Sequence, residues 1–153
     1  MIHVKKIDKK PSPNVIKQFA ELSSATVHEA SGRKGYVDYR IKSLAKGVKV
    51  CGPAVTIQCP PGDNIMLHKG LEKANPGDVL LVTVGGEMGY GYGYLGGLMA
   101  TSALARRIAG LVIDGCIRDS AEIIEMGFPI FCRGTAIRGT AKASLGLINY
   151  PLN

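Results

Sequence analysis

Two short apolar runs limit what this chain can become. "VLLVTV" (79–84) and "GLVIDGCI" (110–117) are apolar at nearly every position. A strand with one wet face alternates apolar with polar residues, whereas a continuous apolar run belongs inside a sheet covered on both faces. The first run follows the turn "NPGD". Between the two runs lie a glycine-rich stretch and a segment with helical spacing over 97–109. The second run precedes another helical segment over 120–126, which Gly127 closes before the short strand "FPIFC". Strands that alternate with helices in this way predict an α/β layer fold around a largely parallel sheet.

The flanking segments fit the same plan. "GVKVCGPAVTIQC" reads as strand interrupted at Gly52-Pro53, and "PPGDN" as a turn in which Asp63 caps a helix over 64–74. Near the start, "SPNVIKQFAELSS" has Ser12 as N-cap, Pro13 in the first turn and Val15, Phe19 and Leu22 on one face. A second short helix is expected over 25–30, ended by Gly32. In the 97–109 helix, Leu98, Ala105 and Ile108 are expected on the core face. The tail "GTAIRGTAKASLGLINYPLN" has no clear period. No repeat or linker divides the chain, so its 153 residues are expected to form one domain.

Composition excludes several classes. Hydrophobic residues make up 46% and charged residues 20%, which is globular and not disordered. Net charge is +7, from 19 Lys and Arg against 12 Asp and Glu, much of it in the first fifty residues. The cations are dispersed and lack interleaved aromatics, so a solvated basic face is favoured over a nucleic-acid surface. Cys51, Cys59, Cys116 and Cys132 form no CxxC pair and are read as reduced, buried-type thiols. With no apolar leader and no run long enough to span a bilayer, a cytoplasmic protein is expected.

Two places can carry chemistry. "GYGYLGG" (91–97) leads into a helix, and such a helix N-terminus offers unpaired N–H groups and partial positive charge to a carboxylate or phosphate. No glycine-rich nucleotide loop with an acidic partner accompanies it. The second place is "DGCIRDSAE", at the C-terminal end of a predicted inner strand, where ligands gather in open α/β sheets. Asp119 is either an N-cap for the helix after it or a ligand for a hard divalent cation. Arg118 offers a planar fork to carboxylate or enolate oxygens. Asp114 and Glu122 add two carboxylates close by, Asp114 serving otherwise to buttress the turn or to pair with Arg118. His3, His28 and His68 have no metal-ligand partner at helical spacing and are read as packing or surface residues.

"GLVIDGCIRDSAEI", preceded by "YLGGLMATSALARRIA", resembles the RraA-like family, which includes the 4-hydroxy-4-methyl-2-oxoglutarate aldolases. "GPAVTI", "GDN" and "ANPGDVLLV" match in order and spacing, so the resemblance runs from about residue 23 to 151. Its most specific part is Gly97, twenty intervening residues, Arg118-Asp119, two residues, then Glu122. The resemblance implies a swivelling-domain α/β sandwich that assembles as a trimer or paired trimers. It also implies a metal-dependent lyase using magnesium or manganese on 2-oxo acids. Asp119 would then hold the metal, Arg118 the substrate's keto oxygen, and the amides of Gly96, Gly97, Leu98 and Met99 the carboxylate of a pyruvate unit. Asp114 and Glu122 would stand behind them, and a metal-bound water would be the base.

Two departures from the family accompany this. Characterised aldolases of the family carry a carboxylate where this chain has Gly97, leaving Glu122 or Glu87 to replace it. Family chains also continue past the equivalent of "NYP", so this domain is expected to lack their C-terminal strands and to present a sheet edge. The competing function class in the family is a non-catalytic regulator that binds and inhibits the endoribonuclease RNase E.

Overall fold

The computed structural model describes residues 3–7 and 9–152. Its core is a six-stranded sheet in the order β1-β6-β4-β3-β2-β8. The inner strands β2 (Ala54–Gln58), β3 (Val79–Thr83), β4 (Gly110–Asp114) and β6 (Ile130–Cys132) run parallel. Two short antiparallel strands, β1 (Lys42–Ser43) and β8 (Leu147–Ile148), close the two sides. The expectation of a largely parallel α/β sheet therefore holds. In β3, Val79, Leu80 and Val82 are all buried, as a strand covered on both faces requires.

The helices show where local spacing misleads. α3 (Ile65–Lys73) packs on β2, β3 and β8 and buries Met66, Leu67 and Leu71. α5 (Gly97–Ala105) packs against α6 (Ser120–Met126) and stops four residues short of the predicted end, because Arg107 turns left-handed at φ 57°. Its buried face is Met99, Ala100 and Ala103, not Leu98 and Ala105. Leu98 is 91% exposed, while Ile108 is buried as expected. The small residues face inward because the helix lies close to its neighbours, which apolarity alone does not reveal.

α1 (Pro13–Glu21) and α2 (Ser24–Ala30) form as the sequence predicts, with Ser12 Oγ accepting the Val15 N–H at 3.4 Å. They bury no residue, and Phe19 and Leu22 of the apolar stripe are about half exposed. α4 (Glu87–Tyr90) is a single turn in the glycine-rich stretch. Beyond β4, Gly115 breaks the run, and β5 (Cys116–Ile117) pairs instead with β7 (Gly134–Thr135) in a separate two-stranded ladder. The expected open edge beside β8 is partly covered by the chain's own start. Val4 bridges Ile148, and the Lys5 N–H donates to Ile148 O at 3.0 Å.

All four cysteines are free, and burial pushes the Cys59 thiol up to about 12. Among the described residues no helix is long and apolar enough to cross a membrane.

Candidate functional site

The parallel strands all end on one side of the sheet, and the turn before α5 folds over those ends. Tyr94 N–H donates to Cys116 O at 3.0 Å, and Arg118 N–H donates to Leu95 O at 2.9 Å. The turn is thus laced to the segment that carries the Arg-Asp pair. A Cβ on Gly96 would collide with Asp119 Oδ2 and lie 3.1 Å from Arg118 Cγ. One on Gly93 would meet Arg118 Cβ at 3.1 Å. Glycine is needed here because the Arg118 side chain lies along the turn's backbone.

Asp119 occupies the N-cap position of α6 in the left-handed region, at φ 57°. Of the two sequence readings, helix capping is the one its geometry alters. Its carboxylate makes no bond to the α6 amides and instead accepts the Gly97 N–H at 3.0 Å through Oδ2. It therefore satisfies the N-terminus of α5. Arg118 Nε stands 3.5 Å from the same oxygen, and the two side chains are 45% and 32% exposed. The contact is loose and leaves Arg118 able to turn to another acceptor. Asp119 Oδ1 has no hydrogen bond among the described residues.

Of the four amides expected to receive a carboxylate, Gly97 N–H is held by Asp119, and Met99 N–H turns back to Gly96 O at 3.1 Å. Gly96 and Leu98 N–H have no partner among the described residues. Glu122 projects back from the first turn of α6, and its carboxylate fills the space a side chain on Gly97 would need. Glu122 therefore stands where a side chain at position 97 would project. Glu87, on α4, is exposed and makes no described contact with this group.

Asp114 belongs to a different cluster. Arg133 Nε donates to Asp114 Oδ1 at 2.5 Å, and Tyr90 O–H donates to Asp114 Oδ2 at 3.3 Å. The Arg133 guanidinium stacks 4.0 Å over the Tyr90 ring and reaches Asp38 Oδ2 at 3.2 Å. Asp114 therefore pairs with Arg133 and not with Arg118. Arg133 in turn links Asp114 to Asp38. Nothing in the sequence marked Arg133 or Asp38, since their pairing spans 95 residues.

The tail without a period proves to be a strap over the site. Gly93 N–H donates to Arg138 O at 2.8 Å, and Ala141 N–H to Gly62 O at 2.8 Å. Asp63 fixes its far end: Oδ2 accepts Ala143 N–H at 2.7 Å and Ser144 N–H at 2.9 Å, while Oδ1 accepts Ile65 N–H at 2.9 Å. Burial opposes the Asp63 charge, but these three N–H donors, with Lys142 close by, hold its carboxyl below the usual range. Asn64 takes the N-cap position of α3, where Asp63 was expected. Its side chain goes elsewhere, Nδ2 donating to Tyr94 O at 2.8 Å. His3 and His28 meet backbone carbonyls, whereas His68 is half-buried on α3.

Among the described residues no group of three or more His, Cys, Asp or Glu side chains comes together to hold a metal. A cation here would rest on Asp119 with water completing its shell, which suits magnesium-type sites. The free Oδ1 of Asp119 and its partial exposure fit that donor set.

A parallel α/β sheet thus sets a glycine-framed helix N-terminus against an Arg-Asp pair at the strand ends, and this is the candidate site. The family model described as RraA-like, Aldolase/RraA, matches residues 19–153, and the chain belongs to this family. A relative from Halalkalibacterium halodurans bears the name "Putative 4-hydroxy-4-methyl-2-oxoglutarate aldolase". It is 35% identical over 138 residues, covering 90% of this chain and 65% of the relative. The chain thus spans just under two thirds of that relative's length. The solved structure of RraAS2 from Streptomyces coelicolor, described as an unusual member of the RNase ES inhibitor RraA family, is similar with TM-score 0.77. It is 32% identical and covers 94% of this chain and 75% of that one. The RNA-processing inhibitor RraA from Thermus thermophilis gives TM-score 0.74 at 25% identity, covering 86% of this chain and 79% of that one.

Proposed function

We propose that the chain is a divalent-metal-dependent lyase acting on 2-oxo acids. It would cleave 4-hydroxy-2-oxo dicarboxylic acids of the 4-hydroxy-4-methyl-2-oxoglutarate type, decarboxylate oxaloacetate, or do both. Each reaction passes through the enolate of pyruvate, so each needs negative charge stabilised on the C2 oxygen. The observation that carries this reading is the placement of Arg118 and Asp119 against the N-terminus of α5, with Gly96 and Leu98 N–H free.

Asp119 would hold magnesium or manganese, which supplies Lewis-acid polarisation of the C2 oxygen. Arg118 donates to that oxygen and strengthens its hold as charge develops. The Gly96 and Leu98 amides, at the positive end of α5, hold the carboxylate next to it. Glu122, seated in the space beside Gly97, accepts hydrogen bonds from water in the site. The half-exposed apolar residues Phe19 and Leu22 and the exposed Leu98 suit assembly into a homotrimer or a pair of trimers in the cytoplasm.

Purified protein with magnesium and oxaloacetate, followed through a pyruvate-consuming coupled dehydrogenase, is expected to release pyruvate well above the rate with magnesium alone. Excess EDTA is expected to abolish the difference. A rate equal to the metal-only background would sink the lyase reading. The second reading, a regulator that binds and inhibits an endoribonuclease of the RNase E type, is favoured by the fold shared with the two RraA structures. Inhibition of such a nuclease by the chain, together with the background rate above, is what that reading expects.

A further inference from the structure

A second group of cations lies at the other end of the sheet from Arg118 and Asp119. A pocket of about 320 Å³ is lined by Lys5, Lys6, Lys10 and Lys73, with Asn75 and Asn149 beside them. Val55 in its wall is near the start of β2, and Asn75 belongs to the turn that leads into β3. The pocket therefore lies where the parallel strands begin, and the candidate site where they end. The five residues of β3 alone span about 13 Å, so no small molecule touches both.

The fold holds these lysines in place. Lys5 N–H donates to Ile148 O at 3.0 Å, and Lys5 O accepts Asn149 Nδ2 at 2.8 Å. Lys10 Nζ donates to both carboxylate oxygens of Asp78, at 2.7 and 2.5 Å. Asp78 is buried and also accepts the Asn75 N–H at 2.8 Å, so this neutral pair fixes one wall of the pocket. Lys73 sits in the last turn of α3, where its ammonium offsets the partial negative charge of the helix end. It shares Glu72 with Lys69, at 3.3 and 2.8 Å. Lys5 Nζ faces the Tyr150 ring at 5.6 Å, and Lys6 has no ion pair among the described residues. No carboxylate lines the pocket among those residues. Ammonium groups gathered round one pocket repel one another, and a bound anion turns that repulsion into attraction.

We infer that this pocket binds a small phosphate monoester through its phosphate group. Lysine ammonium groups meet a tetrahedral phosphate as point charges from several directions, without the planar fork that matches a carboxylate. A phosphate monoester carries close to two negative charges near pH 7, which suits Lys5 and Lys6 with a share of Lys73. The Asn75 side chain adds N–H donors. The volume is at the small end for ligand pockets and leaves room for the phosphate and a few carbons. Val4, Ile7 and Val55 give those carbons an apolar wall. The inference stands apart from the lyase reading, because the pocket shares no residue with the Arg118-Asp119 site.

Calorimetry on the intact chain at low salt tests this, with glycerol 3-phosphate and inorganic phosphate as probes. One glycerol 3-phosphate is expected to bind per chain, with Kd in the millimolar range or tighter. Lys6→Gln combined with Lys73→Gln is expected to weaken binding by about 10-fold or more. Lys10 is left in place because it holds Asp78. Asn75→Asp brings a carboxylate to the pocket while keeping the backbone N–H that Asp78 accepts. It is expected to abolish binding with the melting temperature unchanged. Arg118→Gln is the control, since the N-terminus of α5 also attracts anions, and it is expected to leave the affinity within about twofold. Tighter binding of the ester than of inorganic phosphate supports the apolar wall as part of the site. Equal affinities keep the phosphate site and make free phosphate its source. Absence of saturable binding overturns the inference, and so does binding that Arg118→Gln removes while the lysine variant keeps it. Tighter binding of a single-stranded oligonucleotide with steep salt dependence also overturns it, since the lysines then belong to a nucleic-acid face.

Discussion

Asp119→Asn is expected to lower magnesium-dependent release of pyruvate from oxaloacetate by about 1,000-fold, with the melting temperature unchanged. The expected loss corresponds to about 4 kcal/mol of transition-state stabilisation, a typical share for a Lewis-acid cation. The substitution is chosen for what it preserves. Position 119 sits at φ 57°, where asparagine is tolerated and alanine is strained. Asparagine also keeps an oxygen to accept the Gly97 N–H, so the α5 N-terminus stays capped. Only the charge that would hold the cation is removed. Titration with manganese, followed by its paramagnetic signal, is expected to show binding to wild type and none to the variant at matched concentration. Activity within a few-fold of wild type would remove Asp119 from the metal site. Asp119→Ala would be a poorer experiment, because it adds backbone strain and an uncapped helix.

Asp63→Ala is expected to destabilise the chain by about 3 kcal/mol or more, read as the shift in urea midpoint at constant slope. The carboxylate is 2% exposed and accepts three backbone N–H groups, two of them from the strap. Removing it leaves those donors unpaired and frees the strap from α3. The same geometry sets an acid response. The folded-state pKa lies below the unfolded one, so protonation favours the unfolded chain. The Asp63 contribution is complete above the ordinary carboxylate range and fades as the pH falls through and below it. Between about pH 5 and about pH 2, wild type should therefore lose stability more steeply than Asp63→Asn. Parallel curves would mean that Asp63 is not the group whose protonation matters.

The inner strands were legible because a run buried on both faces needs no partner to be recognised. The turns "PPGDN" and "NPGD" were legible because few residue types make them. The register of α5 was not. A helix with Leu98, Met99, Ala100 and Ala103 in two turns has apolar candidates on several sides, and only close packing decides that the small ones turn inward. The role of Glu122 was half legible: spacing placed it near Arg118 and Asp119, but not in the space beside Gly97. Asp114 misled because Arg133 lies 19 residues away and carries no local mark. The strap was illegible, since its hold on the fold comes from backbone N–H groups meeting Asp63, and those are the same in every sequence.

The two flanks of the sheet bear on how the protein behaves when crowded. An unpaired strand edge is a template on which other chains can polymerise. Here each outer strand is only two residues long, and Val4 and Lys5 lie along β8. Lys6 follows immediately and, with Lys5, adds charge where a second chain would have to dock. A short, covered and positively charged margin disfavours fibre growth from this flank, so the parallel core can remain strongly apolar without making the protein prone to precipitate.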